Sequence, residues 1–334
     1  VVDMSLAQQD ISRDFLIGSR IAWQAFNASG GVHGQPVQHW VLETDGSAAS
    51  LQAAWGKIHN HPGCVALSGC VGHATAADLA QLQARTDSRS LAHIAPWLHS
   101  RETLPANDAV FDIFPGHQAQ ISYALQTMLI AGVRDMGVVY GNERLEQQSV
   151  PAISRVAQAL QLRTQTLAHG QPDRISPSHP LILFVGGTPE LHAFTRQLVL
   201  PPGRQCYVVA LADVNLQVLA QLGTLPRNVS VIATQTVPLL SASLPVVRAY
   251  RTALARLYDE PPSSQGLAGF IAARYSAEML ASIQGPPSRA NVLTALRRRQ
   301  DANVGGYRVV FQGQKRTNTF VTQTMLTTDG RIVG

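Results

Sequence analysis

The stretch Ile17-Gly18-Ser19-Arg20-Ile21-Ala22-Trp23-Gln24-Ala25-Phe26-Asn27-Ala28-Ser29-Gly30-Gly31-Val32-His33-Gly34-Gln35-Pro36-Val37 decides the fold. It reads as a short helix that stops at the pair Gly30-Gly31, because glycine disfavours further helix. A turn closes at Gly34. The chain then leaves as Val37-Gln38-His39-Trp40-Val41-Leu42, a run that predicts a strand. Val1-Val2-Asp3-Met4-Ser5 also reads as strand, so the opening spells strand, helix, strand.

The alternation continues along the chain. Val65–Ser68, Leu91–Ile94, Met136–Tyr140, Leu181–Val185, Cys206–Ala210 and Val229–Thr234 are short apolar runs that predict buried strands. Helical spacing falls between them. Ala48–Ile58 places Leu51, Ala54, Trp55 and Ile58 on one face; Gln118–Ala131 does so with Ile121, Leu125, Met128 and Leu129; Val150–Leu160 with Ile153, Val156 and Leu160. After Pro238 the pattern changes to three successive helices, Leu244–Tyr258, Ser264–Ile283 and Ser288–Arg299. The alternating runs Tyr307–Phe311 and Phe320–Leu326 follow. Strands alternating with helices imply an α/β fold with doubly wound parallel sheets.

The 334 residues suffice for two lobes with separate cores. Apolar residues at 45% and charged residues at only 14% exclude disorder. The net charge of +5 raises nucleic acid as a partner. The arginines are scattered, however, and the dense run Arg297-Arg298-Arg299 reads as cations at a helix C-terminus. No basic stripe with interleaved aromatics is present, which excludes nucleic acid. No run reaches the length of a membrane span. Cys64 and Cys70 flank a strand and would stand about 20 Å apart along it, too far for a disulfide; Cys206 lies elsewhere.

Catalytic and cofactor signatures are missing. The sequence contains no Gly-x-Ser-x-Gly elbow, no P-loop and no Gly-x-Gly-x-x-Gly. Gly186-Gly187-Thr188-Pro189-Glu190 follows a strand and opens a helix, so its N–H groups could cradle an anion, but two glycines without a third read as a tight strand-to-helix turn. His59-Asn60-His61 lacks the third ligand that a zinc site needs and reads as a solvated loop. His93 alternates into a strand and reads as packed. No metal, cofactor or catalytic residue is expected.

The opening stretch resembles the bacterial periplasmic solute-binding proteins related to the leucine/isoleucine/valine receptor, the type I substrate-binding subunits of ABC importers. The resemblance extends over nearly the whole chain. It implies two discontinuous lobes, 1–114 with 238–313 and 115–237 with 314–334, joined by three hinge crossings near Phe111–Pro115, Ile232–Pro238 and Val310–Thr319. It further implies capture of a small molecule by hinge closure between the lobes, a membrane permease as partner, a monomer, and a periplasmic or lipid-anchored location with any leader removed. A cytoplasmic ligand sensor of the amide-sensing regulator type shares this fold and stays open as an alternative, as does an enzyme on a doubly wound fold.

The resemblance also assigns ligand-binding positions. Gln9 lies at the entry to the first helix. Cys70, Val71, Gly72 and His73 match the loop that holds a ligand carboxylate, with the family's serines missing, so that backbone N–H groups remain. Trp97, Leu98 and His99 match a strand-end stretch with small residues and a threonine. Tyr140 stands near an aromatic contact, Thr188 where another aromatic often lies, and Asp213 where an acidic residue pairs with an ammonium. The loss of serine, threonine and tyrosine contacts argues against an ordinary zwitterionic amino acid, since a buried ammonium needs a partner. A carboxylate or a weakly polar molecule is expected instead.

Overall fold

The computed structural model of the chain describes residues 1–72, 75–86, 91–100, 108–130, 132–167, 179–298, 300–312, 315–316 and 320–334. The backbone divides into two compact units: Val1–Phe114 with Leu240–Phe320, and Pro115–Leu239 with Val321–Gly334. In chain order the first unit begins with β1 (Val2–Asp3), α1 (Gln9–Ala28), β2 (Glu43–Thr44), α2 (Ala48–Asn60), β3 (Ala66–Ser68), α3 (Thr75–Arg85), β4 (Ala92–Ile94) and β5 (Val110–Phe111). The second unit holds α4 (His117–Ile130), β6 (Asp135–Tyr140), α5 (Glu143–Ala159), β7 (Arg163–Thr166), β8 (Leu181–Val185), α6 (Thr188–Gln197), β9 (Cys206–Ala210), α7 (Leu216–Leu222) and β10 (Val229–Gln235). The chain returns to the first unit for α8 (Pro245–Leu257), α9 (Ser264–Ala281), α10 (Arg289–Arg297), β11 (Ala302–Val304), β12 (Tyr307–Val309), β13 (Phe311–Gln312) and β14 (Lys315–Arg316). It ends in the second unit with β15 (Thr322–Leu326) and β16 (Ile332–Val333). Part of the expected third crossing, residues 313–314 and 317–319, lies outside the described residues.

In the first unit α1 is longer than the sequence predicts. It starts at Gln9 because Ile11, Phe15 and Leu16 extend the buried face of the glycine-terminated segment by two further turns. This helix packs on α9 with almost no separation. A Cβ placed on Gly18 would lie 1.8 Å from the Gly266 carbonyl oxygen, and one on Gly269 would lie 1.9 Å from that of Phe15. The two backbones therefore touch, and the second segment of the unit is locked onto the first.

The sheet of this unit is interrupted. β3, β4 and β5 form one parallel sheet, and β1 pairs in parallel with β2 in another. The predicted strand Val37–Leu42 is not found, and pairing begins only at Glu43. The reason is local. Strand structure needs a neighbour for its N–H and C=O groups, and β1 supplies only Val2 and Asp3. Val37 is instead held by the Asn27 amide, which donates to its carbonyl and accepts from its N–H, both at 2.8 Å.

The second unit has one seven-stranded sheet in the order β16-β15-β10-β9-β8-β6-β7. The five strands from β10 to β7 are parallel, and β15 and β16 add an antiparallel edge. Alternate residues of β6, β8 and β9 point to opposite faces. Val138, Leu183 and Val209 pack with Ile121, Leu125, Ile153 and Val156 of α4 and α5. Ile182, Phe184 and Val208 pack with Leu191, Phe194, Leu216 and Leu219 of α6 and α7. Helices on both faces explain why these strands read as unbroken apolar runs. The helix predicted from Val150 starts earlier, at Glu143. Asn142 caps it by accepting the Leu145 N–H at 3.0 Å, and Glu143 and Glu146 favour its positive end.

Gly18→Ala is expected to destabilise the first unit by about 3 kcal/mol or more, because the added methyl meets backbone rather than a movable side chain. Urea unfolding should show it, with Gly56→Ala, where nothing lies within 4 Å of an added Cβ, as the neutral control.

Candidate functional site

Ligands of open α/β sheets bind beyond the carboxyl ends of the strands. In the first unit these ends are the loops after β3 and β4. The loop after β3 carries Cys70, Val71 and Gly72; His73 lies outside the described residues. Cys70 and Val71 are buried. Cys70 has φ 140° and Ala95, just after β4, has φ 53°, conformations that residues with a Cβ seldom hold. Such strain persists only where surrounding bonds impose it. Here the Cys70 carbonyl accepts the Trp97 N–H at 3.0 Å, Ala95 donates to Phe111, and the buried His93 ring donates to the Gly69 carbonyl.

Asp3 anchors the same loop. Its carboxylate accepts the Ser5 N–H at 2.9 Å and the Thr75 hydroxyl at 3.0 Å, and its N–H bonds the Val71 carbonyl. Gly72 has φ 127°, and a Cβ there would fall 2.3 Å from the Asp3 Cβ. Only glycine lets the loop approach Asp3 this closely. Burial pushes the Cys70 thiol up to about 11, so it stays protonated and unreactive. Gln9 is exposed at the start of α1.

Trp97 and Leu98 are both buried within the first unit. Trp97 sits in a chain of rings: Phe15 at 6.1 Å, then Phe114 at 5.5 Å, with Tyr307 and Phe320 beyond. Phe114 and Phe320 are the residues at which the chain leaves this unit; the indole packs on the first and is linked to the second through Tyr307. His99 is half-buried.

In the second unit the strand ends are tied by a polar network. The buried Asp213 carboxylate pairs with His117 Nε2 at 2.7 Å. Gln120 Oε1 accepts the Ala212 N–H at 2.9 Å and the Thr234 hydroxyl at 2.8 Å. Thr188, wholly buried at the start of α6, accepts the Asn215 N–H at 2.9 Å. Tyr140 ends β6 inside the core, and burial together with the Glu146 charge pushes its phenol up to about 12. The structure thus joins Cys70 to Trp97 in one unit, and in the other it bonds Asp213 to His117 and Thr188 to Asn215. His117, Gln120, Asn215 and Asp3 escaped the sequence reading. Their partners lie 27 to 114 positions away, and no local spacing signals such pairs.

The motif His59-Asn60-His61 is not a loop throughout. His59 and Asn60 end α2, and His61 accepts the Gly63 N–H through Nδ1. All three cysteines are free thiols. Arg297, in the last turn of α10, pairs with Asp108 at 2.7 Å, a half-exposed contact of small worth. Among the described residues no helix is long and apolar enough to cross a membrane.

A profile of the periplasmic binding protein family matches residues 1–330, and the chain belongs to that family. Its fold is that of the type I periplasmic binding proteins. A substrate-binding periplasmic protein from Ralstonia solanacearum is 19% identical, with TM-score 0.82 and coverage of 99% of this chain and 98% of that one. A fatty acid ABC transporter substrate-binding protein from Thermomonospora curvata is 15% identical, with TM-score 0.81 over 99% and 89%. A branched-chain amino acid transporter substrate-binding protein from Streptococcus pneumoniae, in complex with isoleucine, is 14% identical, with TM-score 0.74 over 99% and 95%. At these identities the likeness is one of fold. No curated protein matches the chain.

Two outcomes follow from the site geometry. Asp213→Ala should cost about 2 kcal/mol in urea unfolding of the second unit, with Asp213→Asn recovering part of it, because an amide oxygen can still accept from His117. His39 is lowered from 6.5 to about 4, first by burial and then by the charges of the amino terminus and Arg20. The unfolded chain therefore binds the extra proton below 6.5. Stability contributed by neutral His39 is full above that pH and falls as pH drops toward 4, by at most about 1.4 kcal/mol per pH unit. Thermal melts of wild type and His39→Gln across this window should converge at low pH.

Proposed function

We propose that the chain is the extracytoplasmic solute receptor of an ABC importer, and that its ligand is a carboxylate or a weakly polar organic molecule rather than an ordinary zwitterionic amino acid. The observation that carries this reading is the buried His117–Asp213 pair at 2.7 Å. The acidic group expected to receive a ligand ammonium already has a hydrogen-bonding partner inside its own unit. The Cys70–Gly72 loop supports the same reading, since its side chains bring no hydroxyl and leave main-chain N–H groups as the donors for an anion. Among proteins of similar fold, one is described as a fatty acid receptor and one is complexed with isoleucine, so the fold serves ligands of both polarities.

The mechanism involves no covalent step. Ligand binding favours a closed state about the three chain crossings, and a permease reads that state. Family and structural neighbours are binding proteins, which supports the absence of chemistry. The test is a thermal-shift panel of aliphatic and aromatic carboxylates, neutral analogues and free amino acids. A ligand at a hundredfold excess over its Kd should stabilise by about 2.7 kcal/mol and reduce the radius of gyration in solution scattering. A dominant shift with leucine or isoleucine would refute the ligand class. Product formation from a bound compound would refute the receptor reading itself.

A further inference from the structure

The parallel strands of the second unit end at the loops that hold Asp213 and Thr188, and they begin at the opposite edge of the sheet. That edge gathers the turn from α6 into β9 and the turn from α7 into β10. Cys206 pairs there with Val229, and Tyr207 lies between Leu181 and Ser230. Three large apolar side chains meet water at this edge: Val199 is 45% exposed, Tyr207 38% and Leu222 47%. Single exposed apolar residues are ordinary on a protein surface. Three on adjoining turns and strand starts form a pattern. Tyr207 is the sharpest case, because every other residue of β9 is buried. Val199 follows the end of α6 and Leu222 closes α7, with Pro201, Pro202 and Gly203 exposed beside them in the α6–β9 turn.

Charge at this edge has one prevailing sign. From Leu191 to Leu239 the chain carries three cations, Arg196, Arg204 and Arg227, and a single carboxylate, Asp213. The three arginines are exposed. Asp213 lies at the other end of the strands and is bonded to His117. Two further carboxylates reach the edge, Asp135 at the start of β6 and Asp329 in the turn after β15, whose Leu326 stands opposite Val231. Each arrives with its own cation: Asp135 pairs with Arg163 at 2.7 Å and Asp329 with Arg331 at 2.6 Å. Arg196 suits the last turn of α6, but Arg204 and Arg227 lie in turns outside any helix.

The chemistry of this pole selects its partner. An added strand is excluded at Tyr207, because β9 is bonded on both sides, to β8 and to β10, and offers no open ladder. Apolar tips interleaved with cations match the boundary between lipid headgroups and acyl chains, where apolar side chains and a tyrosine ring insert and arginines meet phosphate. We propose that this pole of the second unit is a peripheral docking surface for anionic phospholipid, with Val199, Tyr207 and Leu222 entering the interface and Arg196, Arg204 and Arg227 pairing with headgroup phosphates. The contact is reversible, each arginine strengthening partitioning about fivefold, and it needs no spanning helix. It is independent of the ligand and of the receptor role proposed above.

The experiment sediments the 334-residue chain with vesicles of mixed phosphatidylglycerol and phosphatidylcholine, and with vesicles of phosphatidylcholine alone. Two variants are compared: Arg204→Gln/Arg227→Gln at the pole, and Arg248→Gln/Arg251→Gln, which removes two exposed cations from α8 in the first unit. Thermal melts check that both fold. The chain is expected to bind the anionic vesicles at low salt and to leave them at high salt. The pole variant should lower partitioning by at least about tenfold, and the α8 variant by less than about twofold. A third variant, Leu222→Trp, reports insertion through a blue shift of its emission, taken as the difference from the parent chain. Absence of binding to the anionic vesicles would overturn the proposal. Equal losses in the two arginine variants would also overturn it, since net charge alone would then drive the contact. So would an unshifted Leu222→Trp emission together with equally tight binding to soluble polyphosphate, which would mark a site for an acidic macromolecule instead.

Discussion

The first unit depends on a backbone-to-backbone contact. α1 and α9 come from sequence positions about 250 apart, and nothing in the chain path requires them to meet. They meet because Gly18, Gly266 and Gly269 remove the side chains that would hold them apart. The closeness then brings further groups into register: the Tyr250 hydroxyl accepts the Ser263 N–H at 3.3 Å, and Ser276 of α9 bonds Ser68 of β3 at 2.8 Å. A discontinuous unit has to recover the loop-closure entropy of its long excursion. A wide helix pair packed at glycine distance is a strong way to do so, since dispersion contacts scale with proximity.

The second unit is stabilised differently. Its core is carried by parallel strands buried on both faces, and its polar groups concentrate at one end, where the strands run out. Gln120 there uses one oxygen for two donors from two different strand ends, Ala212 and Thr234, while its amide donates to Pro115 at 3.2 Å. One side chain on α4 therefore fixes the end of β10, the turn after β9 and the first residue of the unit. The loops after β3 and β4 in the first unit are fixed by the same kind of device, with Asp3 and His93 as the tethers. In both units the strand-end loops are positioned by buried side chains that no ligand has to organise.

This division also explains what the sequence revealed. Leu181–Val185 and Cys206–Ala210 were legible to the residue, because a strand buried on both faces writes an uninterrupted apolar run. β7, Arg163–Thr166, was not legible; it is an exposed edge strand of polar residues and is a strand only because β6 lies beside it. Val37–Leu42 shows the converse. Its residues have strand propensity, yet propensity does not supply a neighbouring strand, and the segment forms no ladder. The glycine turn after α1 was legible from Gly30-Gly31, whereas the start of α1 was not. For the site, the glycine-bearing loop after β3 was visible in Ser68-Gly69-Cys70-Val71-Gly72. The tethers were not, because a residue such as Gln120 is defined as functional only by partners from distant strands.

On the reading proposed above, the same tethers bear on recognition. A polar atom bonded inside a buried network serves a ligand only by taking a second donor or by giving up its partner, and a group left without a partner costs about 1–3 kcal/mol. On the proposed reading, an ammonium that sought Asp213 would have to displace His117 or share the carboxylate with it. A carboxylate meets no such competition at the main-chain N–H groups of a loop or helix start, where the local dipole favours negative charge. An apolar body asks nothing of either network. The internal satisfaction of Asp213, Gln120, Thr188 and Asp3 thus does two things at once. It makes the strand ends rigid, and on the proposed reading it leaves a zwitterion fewer uncommitted side-chain groups there.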